Sequence, residues 1–315
     1  MQFFKKKALI VIQIVLILGS AWLLYSKLGN EEIAAPFKSA LRLLHWWNLG
    51  IVLLLSAINW LFDTRVWQLI LKPFAQVEFK SALKINVIAQ SAGAITPLAV
   101  GDYGLRSYLL KKKIESRQNA LLSLTYRLVK MAVRIVLGLL CIFYVSISQD
   151  LLIIGVALAV GLLVMSFISI RAAILYISNS KGANKILSER ERIDFTKINL
   201  KRVFIPGILL FAAYSIQTSA MIFWMSDSAE FIEILIWVII TYSITSFLPA
   251  TGIFDPMIKS AFGALFALQL AADPAIILLA FTSTWLVNLG LPGFISSLLF
   301  RKMIGKAYRT SKSTK

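Results

Sequence analysis

The chain has 315 residues, of which 58% are hydrophobic and only 15% charged, and its formal net charge is +18. A soluble domain carries about 25% charged residues, and apolar stretches long enough to cross a bilayer recur here, so the chain reads as an all-α integral membrane protein. A single Cys (Cys141) and a single His (His45) exclude a disulfide framework and a Cys- or His-built zinc site; with no Walker loop or zinc-protease motif either, no metal and no cofactor are expected.

The first apolar run, Ala8 to Tyr25, follows Lys5, Lys6 and Lys7. It has the charge pattern of a secretory signal but no small-residue cleavage site, and it reads as a retained helix with a cytoplasmic N-terminus. The second span runs from about Trp47 to Leu71, with Trp46 and Trp47 as interface anchors. Asn59 and Asp63 are expected near its cytoplasmic end, with Asp63 capping or pairing with Arg65. A third span lies between Asn119 and Ile147, a fourth between Leu151 and Ile170, a fifth from Val203 to Met225 and a last from Ala275 to Phe300.

Two further apolar segments are broken. Ile85 to Leu105 contains Gly93, Pro97, Gly101 and Gly104; Phe231 to Leu270 contains Pro249, Gly252 and Pro256. Proline and glycine interrupt a helix by removing a donor or by favouring other geometries. Arms of about twelve residues reach about 18 Å, short of a ~30 Å hydrocarbon core, so the first segment reads as a re-entrant hairpin. The second has longer arms and is either re-entrant or two full spans.

Charge gives the orientation. Most Lys and Arg fall in 5–7, 64–84, 106–117, 171–202 and 301–315, whereas 148–150, 226–230 and 271–274 hold none and 26–46 holds only Lys27, Lys38 and Arg42. The positive-inside rule places the first group, and both termini, in the cytoplasm. The two broken segments then enter from opposite faces. The implied architecture is an inverted repeat of about six full spans plus two broken hairpins: 1–150 with break 85–105, 151–300 with break 231–270, and a basic cytoplasmic tail 301–315. Pro97, Gly101, Asp102 and Arg106 find counterparts in Pro249, Gly252, Asp255 and Lys259. Paired broken segments point to a midplane transporter site.

Pro97-Leu-Ala-Val-Gly101-Asp102 with Arg106 resembles the first signature of the lysylphosphatidylglycerol synthase transmembrane, or flippase-like, family, and Pro249 through Asp255 resembles the second. The family includes the flippase half of the bacterial multiple peptide resistance factor and stand-alone members. The resemblance implies an inverted repeat with two re-entrant hairpins, and movement of an aminoacylated phospholipid between leaflets of the bacterial inner membrane. Ala99 stands where the family has arginine, Asp102 and Asp255 where it has glutamate, and the second signature is glycine-poor and adds Pro256. These departures bear on the substrate more than on the fold. No aminoacyl-transferase domain follows the last span, so lipid synthesis is not expected of this chain.

Ionisable groups at membrane depth are functional candidates by default. Arg127, Lys130 and Arg134 share one helical face of the third span. Arg127 and Lys130 either snorkel to the cytoplasmic headgroups or join Arg134 in holding a lipid phosphate. Asp102 and Asp255 either pair locally with Arg106 and Lys259 at i+4 or engage a substrate ammonium or the cationic stripe. Asn86, Gln90, Ser91 and Thr96 on one hairpin, and Thr241, Ser243, Thr245 and Ser246 on the other, line a polar path or act as interhelical glue. Gln217, Thr218, Trp285 and Asn288 are weaker candidates. The stretch Lys181 to Arg202 is a surface helix on anionic lipid or a solvated connector.

The leading functional expectation is a lipid flippase moving a phospholipid or other lipid-phosphate. The alternatives are a membrane enzyme acting on lipid-linked headgroups or sugars, and a non-catalytic membrane subunit. Expected partners are membrane phospholipid, anionic headgroups on the cytoplasmic side and a further copy of the chain, with no nucleic acid.

Overall fold

The computed structural model describes residues 22, 42–96, 100–148, 161, 197–226, 230–248, 252, 254–266 and 272–296. Among these there is no strand. Among the described residues, four helices are long and apolar enough to cross a membrane: α1 Trp46–Leu71, α4 over Ser116–Ser148, α5 Leu200–Met225, and α8 over Pro274–Ser296. Four shorter helices are α2 Phe79–Ile95, α3 Val100–Leu110, α6 Phe231–Thr245 and α7 Asp255–Leu265. Most of the first expected span, the fourth span, the prolines Pro97 and Pro249, most of the basic connector, and the tail lie outside the described residues.

The 26 residues of α1 extend about 39 Å at 1.5 Å per residue. The helix ends at Leu71: Lys72 is a C-cap still in helical geometry (φ −49°, ψ −40°), and Pro73 has no N–H to extend the ladder. Its buried face carries Val52, Ser56, Asn59, Asp63, Val66 and Ile70 at alternating spacings of four and three. One helical stripe is therefore polar at its centre, while Leu49, Leu53, Leu54 and Leu61 point outward. That polarity is inverted relative to a soluble helix and suits a bundle in lipid. In α4, Val136, Leu140, Phe143 and Ile147 form the corresponding exposed apolar stripe.

Helix α5 begins at Asn199, whose side chain accepts from the Arg202 N–H at 3.1 Å. It packs along α1 with polar cross-bonds: Gln217 Nε2 donates to Val52 O at 2.9 Å and Ser56 Oγ at 2.7 Å. Helix α8 starts at Pro274, with Asp273 capping Ala275 N at 2.7 Å. A π-helical turn over Leu286–Gly290 interrupts it. Such turns leave main-chain groups free to bond elsewhere; Asn288 O accepts from Trp60 Nε1 at 3.1 Å.

Each broken segment contains two short helices, with arms of other lengths than expected. In the first, α2 has 17 residues and α3 has 11, against twelve expected for each. Thr96 bridges the break: its hydroxyl donates to Ala92 O at 2.8 Å and accepts from Gly101 N at 2.8 Å. In the second, α6 has 15 residues and α7 has 11, about 22 and 16 Å, so neither helix alone crosses the ~30 Å core.

The two breaks touch. A methyl on Gly252 would lie 2.6 Å from Ala94 Cα and 2.7 Å from Ala94 O, at the end of α2. Backbone meets backbone there, so no side chain can give way. Gly252→Ala is therefore expected to destabilise the fold by about 1–3 kcal/mol, the usual cost of overpacking. Thermal unfolding in detergent checks this, with Gly104→Ala, where nothing lies within 4 Å, as the tolerated control.

Candidate functional site

Both broken segments, α1, α4, α5 and α8 wall one cavity of about 210 Å³. Five ionisable side chains line it. Asp63 comes from α1, Lys130 and Arg134 from α4, and Asp255 and Lys259 from the first turns of α7. Asn59, Gln90 and Asn288 add amides, and Tyr214, Phe211 and Trp285 add aromatic walls.

Asp63 is 3% exposed and accepts from four side chains. Oδ1 takes Lys130 Nζ at 2.7 Å and the Tyr126 hydroxyl at 2.5 Å. Oδ2 takes Asn86 Nδ2 at 2.9 Å and Gln90 Nε2. Lys130 also reaches the Tyr126 oxygen at 2.9 Å. Sequence proximity suggested Arg65 as the partner of Asp63, but Arg65 bonds Gln68 Oε1 at 2.8 Å. The reason is helical geometry: α1 continues two turns beyond Asp63, so Asp63 points into the bundle with Asn59 and Ser56.

On the opposite wall, Lys259 Nζ donates to Asp255 Oδ2 at 2.5 Å, and lies 5.0 Å from the Tyr242 ring and 5.6 Å from that of Tyr214. Arg134 stands between the walls. Its Nη1 donates to Ser246 Oγ at 3.2 Å and its guanidinium sits 5.9 Å from the Phe211 ring. Among the described residues it has no carboxylate partner, unlike the other two cations of the cavity. Ser243 Oγ donates to Arg134 O at 2.7 Å, and a methyl on Gly138 would collide with that hydroxyl. The close crossing of α4 and α6 thus holds the arginine in place.

Asp102 and Arg106 do not line this cavity. They form a buried pair, Arg106 Nε to Asp102 Oδ1 at 2.7 Å, with Arg127 Nη2 on Asp102 Oδ2 at 3.1 Å. The Arg106 guanidinium is enclosed by the Trp67 and Tyr126 rings at 4.4 and 4.9 Å. Arg127 covers the Tyr103 ring at 4.7 Å. The expected cationic stripe therefore divides. Arg127 turns to α3, while Lys130 and Arg134 face the cavity. Asn86 joins the two groups, accepting from Arg106 Nη2 at 2.6 Å and donating to Asp63.

Of the hairpin-break residues, Gly252 occupies the close approach described above, and a methyl on Gly101 would lie 2.5 Å from Ala92 O. Thr241, Thr245 and Ser246 each donate to the main-chain carbonyl four residues back in their own helix, and Ser243 Oγ lies within reach of both Ile239 O and Arg134 O; of the four, only Ser243 and Ser246 also meet α4, each at Arg134. Sequence reasoning missed Asp63 as a cavity residue and gave Trp285 and Asn288 little weight. A polar residue inside an apolar span was the available signal for each. Among the described residues, no three of His, Cys, Asp and Glu converge as a metal site would need.

Compared with known proteins, the chain matches no family model, and no curated protein matches it significantly.

Proposed function

We propose that this protein translocates a phosphate-bearing lipid across the membrane, holding the headgroup in the cavity between the two broken segments. The observation that carries the reading is Arg134, a cation that lines the cavity without a carboxylate partner among the described residues. Arginine presents a planar fork that matches phosphate oxygens, and intramembrane charge facing a wet cavity marks a substrate path.

The packing supports an inverted repeat as the frame for this function. Among the described helices, when α1 is exchanged with α5, α2 and α3 with α6 and α7, and α4 with α8, the α1–α5 pair maps onto itself and the other closely packed pairs map onto one another. The α1–α2 pair maps onto α5–α6, α3–α4 onto α7–α8, α1–α4 onto α5–α8, α4–α6 onto α8–α2, and α4–α5 onto α8–α1. Asp63 lies seventeen residues after the start of α1, and Gln217 seventeen after the start of α5. Each bonds a partner on the last helix of a half: Asp63 with Lys130, Gln217 with Asn288 at 2.6 Å. Rocking of one half against the other would open the cavity alternately to each side. The basic stretches orient the termini toward the cytoplasm of a bacterial inner membrane. The short signatures at Gly101-Asp102 and Gly252 to Asp255 imply the same class of activity.

Reconstitution in proteoliposomes tests this. Leaflet exchange of labelled anionic phospholipid is expected from the wild type, and Arg134→Ala is expected to lower its rate at least tenfold, since a charge-assisted hydrogen bond contributes about 1.5–3 kcal/mol. Wild-type rates no higher than those of empty liposomes, with folded protein present, would overturn the reading.

A further inference from the structure

We propose that the cavity selects a phosphodiester headgroup that carries one net negative charge and a hydroxyl, and rejects one that carries an ammonium. The assignment rests on the reading of this cavity as a lipid-phosphate site, and narrows it to glycerol-like headgroups without an amine.

The first argument is charge. Lys130, Arg134 and Lys259 face Asp63 and Asp255, so the lining carries one net positive charge. Both acids are already engaged, at 2.7 Å by Lys130 and 2.5 Å by Lys259, and the surplus charge resides on Arg134. Uncompensated charge in a low-dielectric interior is costly. A monoanion leaves the occupied cavity neutral. A zwitterion leaves the surplus in place, a dianion creates a deficit, and an aminoacylated headgroup with net positive charge adds to the surplus.

The second argument is independent of charge. Among the described residues, Trp285 Nε1 and Asn288 Oδ1 are buried without a protein partner, and both residues line the cavity one turn apart on α8. Asn288 is 8% exposed, and its orientation is fixed. Its Nδ2 donates to Gln217 Oε1 at 2.6 Å and Thr284 O at 2.9 Å, and both of those are acceptors. The cavity-lining residues thus carry one unmet donor and one unmet acceptor, each nearly closed to water in this structure. A hydroxyl accepts from the first and donates to the second. An ammonium only donates and leaves the indole N–H unmet; a fully ionised phosphate only accepts and leaves the amide oxygen unmet. The cavity, at about 210 Å³, is smaller than the roughly 300–1,000 Å³ of pockets that enclose a drug-sized ligand. It fits a headgroup whose acyl chains stay outside.

The test uses the full chain in proteoliposomes with labelled phosphatidylglycerol, phosphatidylethanolamine, phosphatidic acid and lysyl-phosphatidylglycerol. The expected result is exchange of phosphatidylglycerol about tenfold faster than the amine-bearing lipids, the usual consequence of a buried polar group left unmet. Trp285→Phe keeps the ring and removes the donor, and is expected to reduce the rate for phosphatidylglycerol while sparing phosphatidic acid. Asp255→Asn and Asp63→Asn raise the lining by one charge from opposite walls. Each is expected to move the preference toward phosphatidic acid, so misfolding of one leaves the other as the test.

Exchange that is independent of headgroup, or variants that slow all lipids in parallel, would overturn the selectivity while leaving translocation standing. Absence of exchange for every lipid would overturn both. Soluble glycerophosphoglycerol added to the same vesicles separates the sources of the headgroup. Competition only at large excess supports a lipid substrate. Saturable uptake of the soluble diester without lipid exchange would reassign the site to a free phosphodiester and overturn the lipid reading.

Discussion

Replacing Asp102 with Ala is expected to destabilise the protein by about 3–5 kcal/mol, because it leaves a buried guanidinium without its counter-charge. Arg106 is 0% exposed and Asp102 is 2% exposed, so water cannot take over the lost interaction. The remaining partners of Arg106 are Asn86 Oδ1 and the two flanking aromatic rings, none of which carries charge. Asp102→Ala combined with Arg106→Met removes the sealed pair, leaves the 36% exposed Arg127 side chain to water, and fills the slot between Trp67 and Tyr126. It is expected to recover most of the loss, since exchanging a buried pair for apolar groups of similar volume is often near neutral. Chemical or thermal unfolding in detergent, arranged as a double-mutant cycle, measures the coupling. The same double variant should keep lipid exchange per folded molecule within a few-fold of wild type, because the pair lies off the cavity. Loss of exchange with full stability would mean that Asp102 or Arg106 reaches substrate after all.

That contrast shows what pattern alone conveys. An acid and a base four residues apart after each break were visible in the sequence, and both form i,i+4 pairs at 2.7 and 2.5 Å. Their environments were not visible. One pair is sealed by Trp67 and Tyr126, which arrive from α1 and α4; the other opens onto the cavity. Spacing correctly put Arg127, Lys130 and Arg134 on one face, but seven residues rise about 10.5 Å along a helix. The face therefore meets different neighbours at different depths. Local propensity also determines α1 and α4 well, since long apolar runs between polar ends allow few alternatives in a bilayer. It does not determine which polar residues meet across helices. Asn59 to Leu210 O, Gln217 to Asn288 and Asp63 to Lys130 are all set by how the helices stack. Pro292, two residues beyond the π turn at Leu286–Gly290, has no N–H to give to Asn288 O four residues back, and it was the signal in the sequence for that irregularity.

Asp63→Ala is expected to cost a further comparable amount of stability, about 3–5 kcal/mol, and to abolish lipid exchange as well. Its removal strands Lys130 at the cavity wall and deprives the Tyr126 hydroxyl, Asn86 and Gln90 of their shared acceptor. Here the apolar rescue separates structure from function. Asp63→Leu with Lys130→Met removes the charged pair from the lining and leaves its net charge unchanged at one positive, with Arg134 intact. If the pair only braces α1 against α4, the double variant regains both stability and exchange. If Lys130 also meets the headgroup when Asp63 lets it go, stability returns and exchange does not. The second outcome is the expected one, because Lys130 and Arg134 lie four residues apart on the same face and line the same cavity. A phosphate held by Arg134 is then within the reach of a second cation, and Asp63 is the group it must compete with. Exchange rates and unfolding midpoints measured on the same preparations of wild type, Asp63→Ala and the Asp63→Leu, Lys130→Met double variant decide between the two.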